Sequence, residues 1–302
     1  MSPGHKRQVA AGFVRRGRCS GRKACRYFRL HRSTYRYNAK EPDAWKKRLR
    51  SEVRRLSEQY SAWGYKKITR LLRQEGWRVG KRLVQRIRRD LGLRVPTRRA
   101  RRRRRGESTG LPTRATHRGH VWSWDFIHGR TLRGGGLRML NVLDEYTREC
   151  HVIHVDRRVR GTHVFSLLQR LVQRHGAPEY IRSDNGSEFI HKNLRDWLAD
   201  AGIKTLYIEP GSPWQNGYIE SFHARLREEC LDREWLWTLT EARVVIEDWR
   251  REYNLIRPHG SLKMHSPVQF AEECEPQRQL ACLDVAPLHE RYSLMNPALG
   301  LT

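Results

Sequence analysis

The second part of the chain alternates short apolar runs with amphipathic stretches. Three strand-like runs come first, at residues 120–129, 137–147 and 149–156, with a glycine-rich turn at 131–136 between the first two. A helical pattern at 162–175, a strand at 179–183, a helix at 191–201 and a strand at 203–209 follow. Pro213 and Trp214 then begin a further helix, since proline suits a first helical turn. This order predicts an α/β domain over residues 117–275, with a helix from about 240 to 254 and an uninformative tail at 276–302.

The first part of the chain shows only helical patterns. Residues 1–40 predict a basic module with a helix, a short turn and a second helix from Arg32, which the hydroxyls of Ser33 and Thr34 can cap. Residues 41–60 predict a charged helical spacer with few apolar anchors. The module is either a helix-turn-helix or an ordinary basic two-helix hairpin, and the pattern favours neither.

A second helix-turn-helix candidate covers residues 61–95. Gly64 begins a helix with an apolar stripe at positions 68, 71 and 72, and residues 75–77 end it. The next helix has Leu83, Ile87 and Leu91 as its apolar stripe. Its other positions give a strongly basic outer surface: Lys81, Arg82, Arg86, Arg88 and Arg89. Such a helix reads bases in a major groove or contacts phosphates only, because Lys and Arg serve both purposes.

The net charge of +29 is concentrated at the front of the chain. Through residue 116 there are 37 Lys and Arg against 7 Asp and Glu, a net charge of +30; the remainder has 24 against 25. This split predicts a DNA-binding front segment joined to a catalytic body that keeps its own acids. Within the predicted linker, residues 96–116, seven arginines stand together as DNA-contact candidates: Arg98, Arg99, Arg101, Arg102, Arg103, Arg104 and Arg105.

The spacing of the cysteines and the lengths of the apolar runs argue against disulfide-rich, zinc-binding and membrane-spanning proteins. The six cysteines include no CxxC pair, so neither a disulfide framework nor a zinc site is indicated. No apolar run approaches the roughly 18 residues of a membrane helix. We therefore expect a cytoplasmic protein that associates with the nucleoid when bound to DNA, with no membrane partner.

Two carboxylates stand in positions where an unpaired charge is costly, and a third lies on the polar side of a helix. Asp125 lies inside the first apolar run, and Asp184 ends the fourth strand. Glu220 lies on a polar helix stripe with Asn216 and His223, opposite an apolar stripe. A buried carboxylate needs a partner or a metal, so the pattern predicts three ligands that converge on divalent cations.

The spacing of these acids and the sequence motifs around them resemble those of a known family. Asp184 and Glu220 are separated by 35 residues, Asn185 through Ile219, and Arg227 follows Glu220 by seven. With these go the segments WSWDFI, NVLDEYTR, RSDNGSEF, SPWQNGYIESFHARLREE and YNLIRPHGSLKMHSP. The chain resembles the DDE transposases and retroviral integrases, and within them the second-reading-frame (OrfB) protein of the bacterial insertion-sequence-three family.

This resemblance implies an RNase-H-like catalytic core behind small all-α helix-turn-helix modules. It implies a DNA transposase that cleaves and joins strands with two Mg²⁺ ions roughly 3.5 to 4 Å apart, for which Mn²⁺ should substitute. Asp125 would bridge both ions, while Asp184 and Glu220 would each bind one. The implied partners are the inverted-repeat ends of the element, target DNA, further copies of the chain and an upstream-frame protein (OrfA). Since the chain begins at Met1 with no heptad repeat, we expect the downstream product alone.

Several residues keep two interpretations. Asp144, Asp156, Glu188 and Glu209 are rival acids at the ends of apolar runs, and Asp144 is the strongest. Arg227 contacts a phosphate or pairs with Glu228 or Asp232. Asn185 and Asn216 either form a turn and a helix start or contact DNA. His223 either contacts DNA or simply occupies a position on the polar side of its helix. The segment 253–259 is interpreted as structural, with DNA contact as the alternative.

Two other functions compete with the transposase. The first is a metal-dependent nuclease of the same fold that cleaves without joining, such as a junction resolvase. The second is a DNA-binding regulator derived from a transposase, against which the intact acids argue.

Overall fold

The computed structural model describes residues 2–37, 43–95, 113–183, 192–208 and 213–274. The chain separates into two compact units, Met1–Leu56 and Ser57–Thr302. In the described ranges, no helix has both the length and the apolar character that crossing a membrane requires.

The first unit begins with three short helices, α1 (Pro3–Arg15), α2 (Gly21–Tyr27) and α3 (Arg32–Arg36), and also includes most of the helix that follows them. They pack on one another through small buried side chains such as Ala10 and Ala24. The helix predicted from Arg32 is confirmed, but its predicted cap is wrong. His31 is the N-cap and accepts the backbone N–H of Ser33 at 3.4 Å. The two hydroxyl residues instead lie inside the helix.

A long helix, α4 (Ala44–Gln59), leads into the helix pair α5 (Tyr65–Gln74) and α6 (Lys81–Asp90) of the second unit. The predicted start of α5 after Gly64 is confirmed, and Gly76 with φ of 86° ends the turn that follows it. The predicted stripe of α6 is only partly right, because the helix buries Val84 and Ile87 while positions 83 and 91 stay partly exposed.

The body of the second unit is built on a five-stranded sheet in the order β3-β2-β1-β4-β5. Its strands are β1 (Val121–Arg130), β2 (Gly136–Asp144), β3 (Cys150–Asp156), β4 (Tyr180–Ser183) and β5 (Lys204–Tyr207). The first three are antiparallel, and β4 and β5 run parallel to β1. All five predicted strands are confirmed, and β1 is central.

Helices cover both faces of this sheet. One face packs against α7 (Gly161–His175) and α8 (Lys192–Asp200). The other packs against α9 (Gly217–Leu226) and α10 (Leu239–Leu255), and α11 (Pro267–Cys274) contacts α10. Trp122 and Trp124 lie in the first core with Phe126 packed against it, as the alternation along β1 predicted. The predicted mixed α/β class with a helical front segment is confirmed.

His151 gives the first testable consequence of this packing. Its ring packs at tilted angles against Trp122 and His175, with ring centroids 4.6 Å and 4.3 Å away, and neither ring nitrogen has a hydrogen-bond partner in the described part of the chain. Burial holds the pKa of His151 well below 6.5, and the charge of His175 adds to this effect. The folded protein therefore keeps this ring neutral where the unfolded chain would protonate it.

Stability should therefore fall as the pH drops below 6.5, the ordinary histidine pKa, because the unfolded chain then binds a proton that folded His151 does not. The variant His151→Phe removes this site, so its slope should be shallower by up to about 1.4 kcal/mol per pH unit. Urea unfolding at about pH 7 and about pH 5 measures both slopes. Parallel pH dependences in the two proteins would contradict a neutral buried His151.

Candidate active site

Asp125 is a partly exposed carboxylate in the middle of the central strand β1. Because side chains alternate along a strand, it lies on the opposite face to Trp124 and on the same face as Ile127, which packs with α9 and α10. Its side chain is 27% exposed. One carboxylate oxygen accepts the backbone N–H of Phe126 at 2.7 Å.

A neutral histidine on α9 lies beside this carboxylate. Nδ1 of His223 is 3.8 Å from Oδ2 of Asp125. Asn141 on β2 is paired with Asp125 in the sheet, and its Nδ2 lies 2.8 Å from Nε2 of His223. An amide nitrogen can only donate, so Nε2 accepts and the ring proton lies on Nδ1. Burial, reinforced by the charge of Arg227, lowers the pKa of His223 to about 4.

Glu220 lies on the first turn of α9, three residues before His223. Residues at this spacing lie on adjacent turns of one helix face. Ile219 and Phe222 fix the orientation of the helix by packing into the core. The side chain of Glu220 is exposed and has no hydrogen bond or ion pair with any residue that the structure describes. Through α9, an exposed carboxylate is therefore brought to the side of β1 that carries Asp125.

The third predicted ligand, Asp184, lies outside the described residues, as does Asn185. β4 ends at Ser183, the residue before it. In the parallel pairing of β1 with β4, Ser123 is opposite Arg182, and Asp125 and Asp184 each follow these partners by two residues. Among the residues that are described, no three His, Cys, Asp or Glu side chains form a metal-binding cluster. The complete triad stays a prediction.

The donor atoms at this place suit a hard divalent cation. Asp125 offers a partly exposed carboxylate and Glu220 an exposed one. The amide oxygens of Asn141 on β2 and of Asn216, the N-cap of α9, are buried and lack a hydrogen-bond partner within the described ranges. Carboxylate, amide and water oxygens are the ligands that Mg²⁺ prefers. The described residues therefore fit the metal chemistry that the sequence predicts.

The carboxylate of Asp144, the strongest rival acid, instead accepts hydrogen bonds from three backbone N–H groups. It is completely buried and accepts N–H groups from Gly119 at 2.7 Å, Tyr146 at 2.9 Å and Thr147 at 2.8 Å. These bonds close the turn after β2 and attach to it the segment that precedes β1. Three such hydrogen bonds leave little capacity to bind a metal.

The variant Asp144→Asn tests this structural role. The amide loses the charge and turns an NH₂ group toward backbone donors, so we expect a loss of about 2–3 kcal/mol in the free energy of unfolding. The matched control is Asp156→Asn at the end of β3, where the acid pairs with Arg243 at 2.7 Å near the surface and should contribute less than about 1 kcal/mol. Urea unfolding compares them. An Asp144→Asn protein of unchanged stability that no longer binds Mg²⁺ would make Asp144 a ligand. The remaining rivals, Glu188 and Glu209, lie outside the described residues.

Arg227 is exposed at the start of a single π-helical turn, Arg227–Leu231, that continues α9. Neither proposed acidic partner engages it: Glu228 pairs with Arg225 at 2.5 Å, and Asp232 makes no ion pair with it in the described part of the chain. Its guanidinium therefore remains available to a phosphate. Single π turns occur frequently at functional sites.

The other predicted DNA contacts are placed differently. His223 is only 13% exposed, and Asn216 is buried at the start of α9, which favours the positional role for both. Lys81, Arg82, Arg86 and Arg89 are all exposed on α6. DNA contact by these six residues stays a prediction, and the arginines between 98 and 105 lie outside the described residues.

The predicted place of Arg88 on the outer surface of α6 is wrong. Arg88 is buried, and its guanidinium donates to the carbonyl of Trp63 at 2.6 Å and to that of Leu93 at 3.1 Å. Helical position alone does not reveal this role, because the carbonyls that it satisfies lie outside its own helix.

A buried ion pair inside the catalytic body, which Trp63 and Lys67 also contact, was not predicted from the sequence. Arg257 binds both carboxylate oxygens of Glu229 at 2.6 Å, and each side chain is 5% exposed. Trp63 donates to the same carboxylate at 3.2 Å, and Nζ of Lys67 lies 3.7 Å away. Burial alone would raise the pKa of Glu229, but its hydrogen bonds with Arg257 and the charge of that group lower it.

The segment 253–259 has structural roles, the interpretation that its sequence favours. Besides Arg257, Asn254 on α10 accepts the backbone N–H of Cys150 at 2.9 Å and donates to the carbonyl of the same residue at 2.8 Å. These two bonds attach α10 to the start of β3. A contact of this segment with DNA remains a prediction.

Comparisons with known proteins match nearly the whole chain. The family model of an HTH-like domain matches residues 44–101, and two models of an integrase core domain match residues 115–213 and 201–267. The insertion element IS476 uncharacterized 39.2 kDa protein of Xanthomonas euvesicatoria is 35% identical, over 92% of this chain and 80% of that protein. The insertion element IS407 uncharacterized 31.7 kDa protein of Burkholderia multivorans is 36% identical, over 83% and 90%.

Among solved structures, the HTLV-2 integrase catalytic core domain in complex with magnesium is similar with a TM-score of 0.43 and 16% identity, over 52% of this chain and 99% of that chain. The HTH-like match begins at residue 44 and so includes most of the predicted spacer; the remaining domain boundaries stay predictions. The matched integrase core, the five-stranded sheet and the insertion-element relatives agree with one another. The chain belongs to the insertion-sequence-three family of transposases, and its α/β body is an RNase-H-like integrase core.

Proposed function

We propose that this transposase binds the inverted-repeat ends of its element, hydrolyses a DNA strand to expose a 3′ hydroxyl, and joins that hydroxyl to a second phosphodiester by direct transesterification. The observation that carries this proposal is the approach of β1 and α9. Asp125 and Glu220, which has no ion pair with a described residue, lie on one side of the sheet, and His223 of α9 lies between Asn141 on β2 and Asp125 on β1. The presence of carboxylates at both positions argues against a regulator that only binds DNA.

Asp125, Asp184 and Glu220 would hold the divalent cations, with Mg²⁺ as the physiological ion. When bound, such cations neutralise phosphate charge and activate the attacking oxygen. His223 and Asn141 position the carboxylate of Asp125 from the side, and a neutral ring does so without competing for its charge.

The DNA partners follow from the distribution of basic residues. Arg227 would contact a phosphate near the cleaved bond, two helical turns from Glu220. The exposed basic face of α6 would bind the inverted-repeat ends. Several copies of the chain would assemble on DNA, with an upstream-frame protein (OrfA) as a further partner.

A labelled terminal oligonucleotide incubated with the protein and Mg²⁺ tests the proposal. We expect a shortened strand and a longer joined product, neither of which forms when EDTA replaces Mg²⁺. Cleavage without a joined product would instead support the nuclease of the same fold. Binding with neither product, at all Mg²⁺ and Mn²⁺ concentrations, would support the regulator.

A further inference from the structure

A cavity of about 730 Å³ lies where the helix pair meets the catalytic body. We name it the junction pocket. Its charged wall is supplied by α5, by the turn after β2, by α9 with its π turn, and by the segment after α10: Lys67, Arg148, Arg225, Glu228, Glu229 and Arg257. Tyr218 and Ser221 of α9, which flank the position of Glu220, also line the pocket. It therefore lies against the helix that carries a predicted catalytic residue.

Positive charge exceeds negative charge in this pocket. Arg257 neutralises Glu229, and Arg225 neutralises Glu228. Two cations remain in excess. Arg148 lies over the ring of Tyr218 at 3.8 Å and donates to the carbonyl of Glu145. Lys67 lies over the ring of Trp63 at 5.4 Å, and its ion pair among the described residues is with the already paired Glu229, at 3.7 Å. With Lys67 protonated and His259 neutral, the lining thus has a net charge of +2, which falls toward +1 as the pH rises through the pKa of Lys67, about 7.

The state of Lys67 shows that this charge is poorly compensated. Burial, and then the charge of Arg257, lowers the pKa of Lys67 from 10.5 to about 7. Burial also lowers the pKa of His259 to about 2, again with Arg257 contributing, so that ring adds no charge. An anion bound in the pocket would favour the charged ammonium and relieve the repulsion between neighbouring cations.

A second cavity of about 670 Å³ continues the first. Both are lined by Gly64 and Val95, so they adjoin at the start of α5 and the end of the helix pair. The lining of the second cavity contains no acidic residue. It includes four exposed arginines: Arg82, Arg86, Arg89 and Arg94. The arginine run of the linker begins at position 98, three residues after Val95.

We propose that the two adjoining cavities form one basic groove that binds the phosphodiester backbone of DNA and leads it from α6 to the Glu220 helix. An extended path with cations along its whole length fits a polyanion better than a single phosphate, which one cavity would accommodate. The proposal deepens the proposed function and rests on it for the identity of the ligand. The test of the groove measures DNA binding without catalysis, so the groove proposal and the proposed function can fail separately.

The test measures binding of a fluorescent mixed-sequence duplex of about 30 base pairs, in EDTA, by anisotropy over a series of salt concentrations. Lys67→Gln and Arg148→Gln each remove one of the two excess cations of the junction pocket. Arg170→Gln removes the same charge from an exposed position on α7, on the opposite face of the sheet. Each pocket variant should bind about tenfold more weakly and lower the slope of log K against log salt by about 0.9. Arg170→Gln should match the wild type.

A second pair of variants leaves the ion pairs intact, in case a pocket variant is less stable. Ser261 is exposed and lines the junction pocket. Ser261→Glu adds a negative charge there and should weaken DNA binding, whereas Ser261→Gln, of similar size, should not. Inorganic phosphate and a deoxynucleoside monophosphate serve as competitors, and neither should displace the duplex at concentrations with the same ionic strength as the control salt. Pocket variants that behave like Arg170→Gln, or tight binding of either small anion that depends on Lys67 while the duplex slope is unchanged, would overturn the proposal.

Discussion

Replacing Glu220 with glutamine is expected to reduce strand cleavage and strand joining together by at least about 10³-fold. The amide keeps the shape of the side chain but removes a charged ligand, whose interaction with a divalent cation amounts to several kcal/mol. DNA affinity and thermal stability should stay at their wild-type values, because Glu220 is exposed and has no partner among the described residues. Rates come from the labelled oligonucleotide assay at saturating Mg²⁺.

Glu272→Gln is the matched control. Glu272 is an exposed glutamate of α11 that makes no ion pair with another described residue, so its variant should cleave and join at the wild-type rate. If Glu220→Gln retained full activity, the assignment of the triad would be wrong, whatever the DNA affinity.

The second large effect concerns the buried ion pair. Glu229→Gln should destabilise the protein by about 3–5 kcal/mol, because it leaves the guanidinium of Arg257 buried without a counter-charge. For a unit of this size the unfolding temperature should fall by about 10 °C. The amide also weakens the contacts of Trp63 and Lys67, so protease cleavage near α5 should precede global unfolding. Calorimetry and timed proteolysis measure the two effects.

The neighbouring Glu228→Gln provides the comparison. Glu228 pairs with the more exposed Arg225, so its loss should cost less than about 1 kcal/mol. Equal shifts in unfolding temperature for the two glutamine variants would contradict a special role for the Glu229–Arg257 pair.

The architecture is predictable because it depends on local periodicity. Alternation along β1 by itself separates Trp122 and Trp124 from Asp125, and the apolar stripe of α9 indicates which face of that helix Glu220 must avoid. These patterns repeat over a few residues, so the sequence determines them without knowledge of the neighbours. The roles of the three acids, in contrast, come from resemblance to a family.

The features that sequence does not predict depend on contacts between distant residues. In the sequence His223 is one polar position among several, and its role becomes visible only in the structure, where Asn141 of β2 lies 2.8 Å from its ring. Arg88 resembles its exposed neighbours until the carbonyl of Trp63 is seen to lie within reach. Glu229 and Arg257, 28 residues apart, stand in charged segments that are equally compatible with a solvated surface.

The central claim is that the three acids meet around divalent cations, and anomalous diffraction from crystals of the protein with DNA and Mn²⁺ tests it most directly. The account predicts anomalous peaks within about 2.1 Å of carboxylate oxygens of Asp125, Asp184 and Glu220. It would be contradicted if the carboxyl groups lay on separate surfaces and the bound Mn²⁺ ions were held elsewhere.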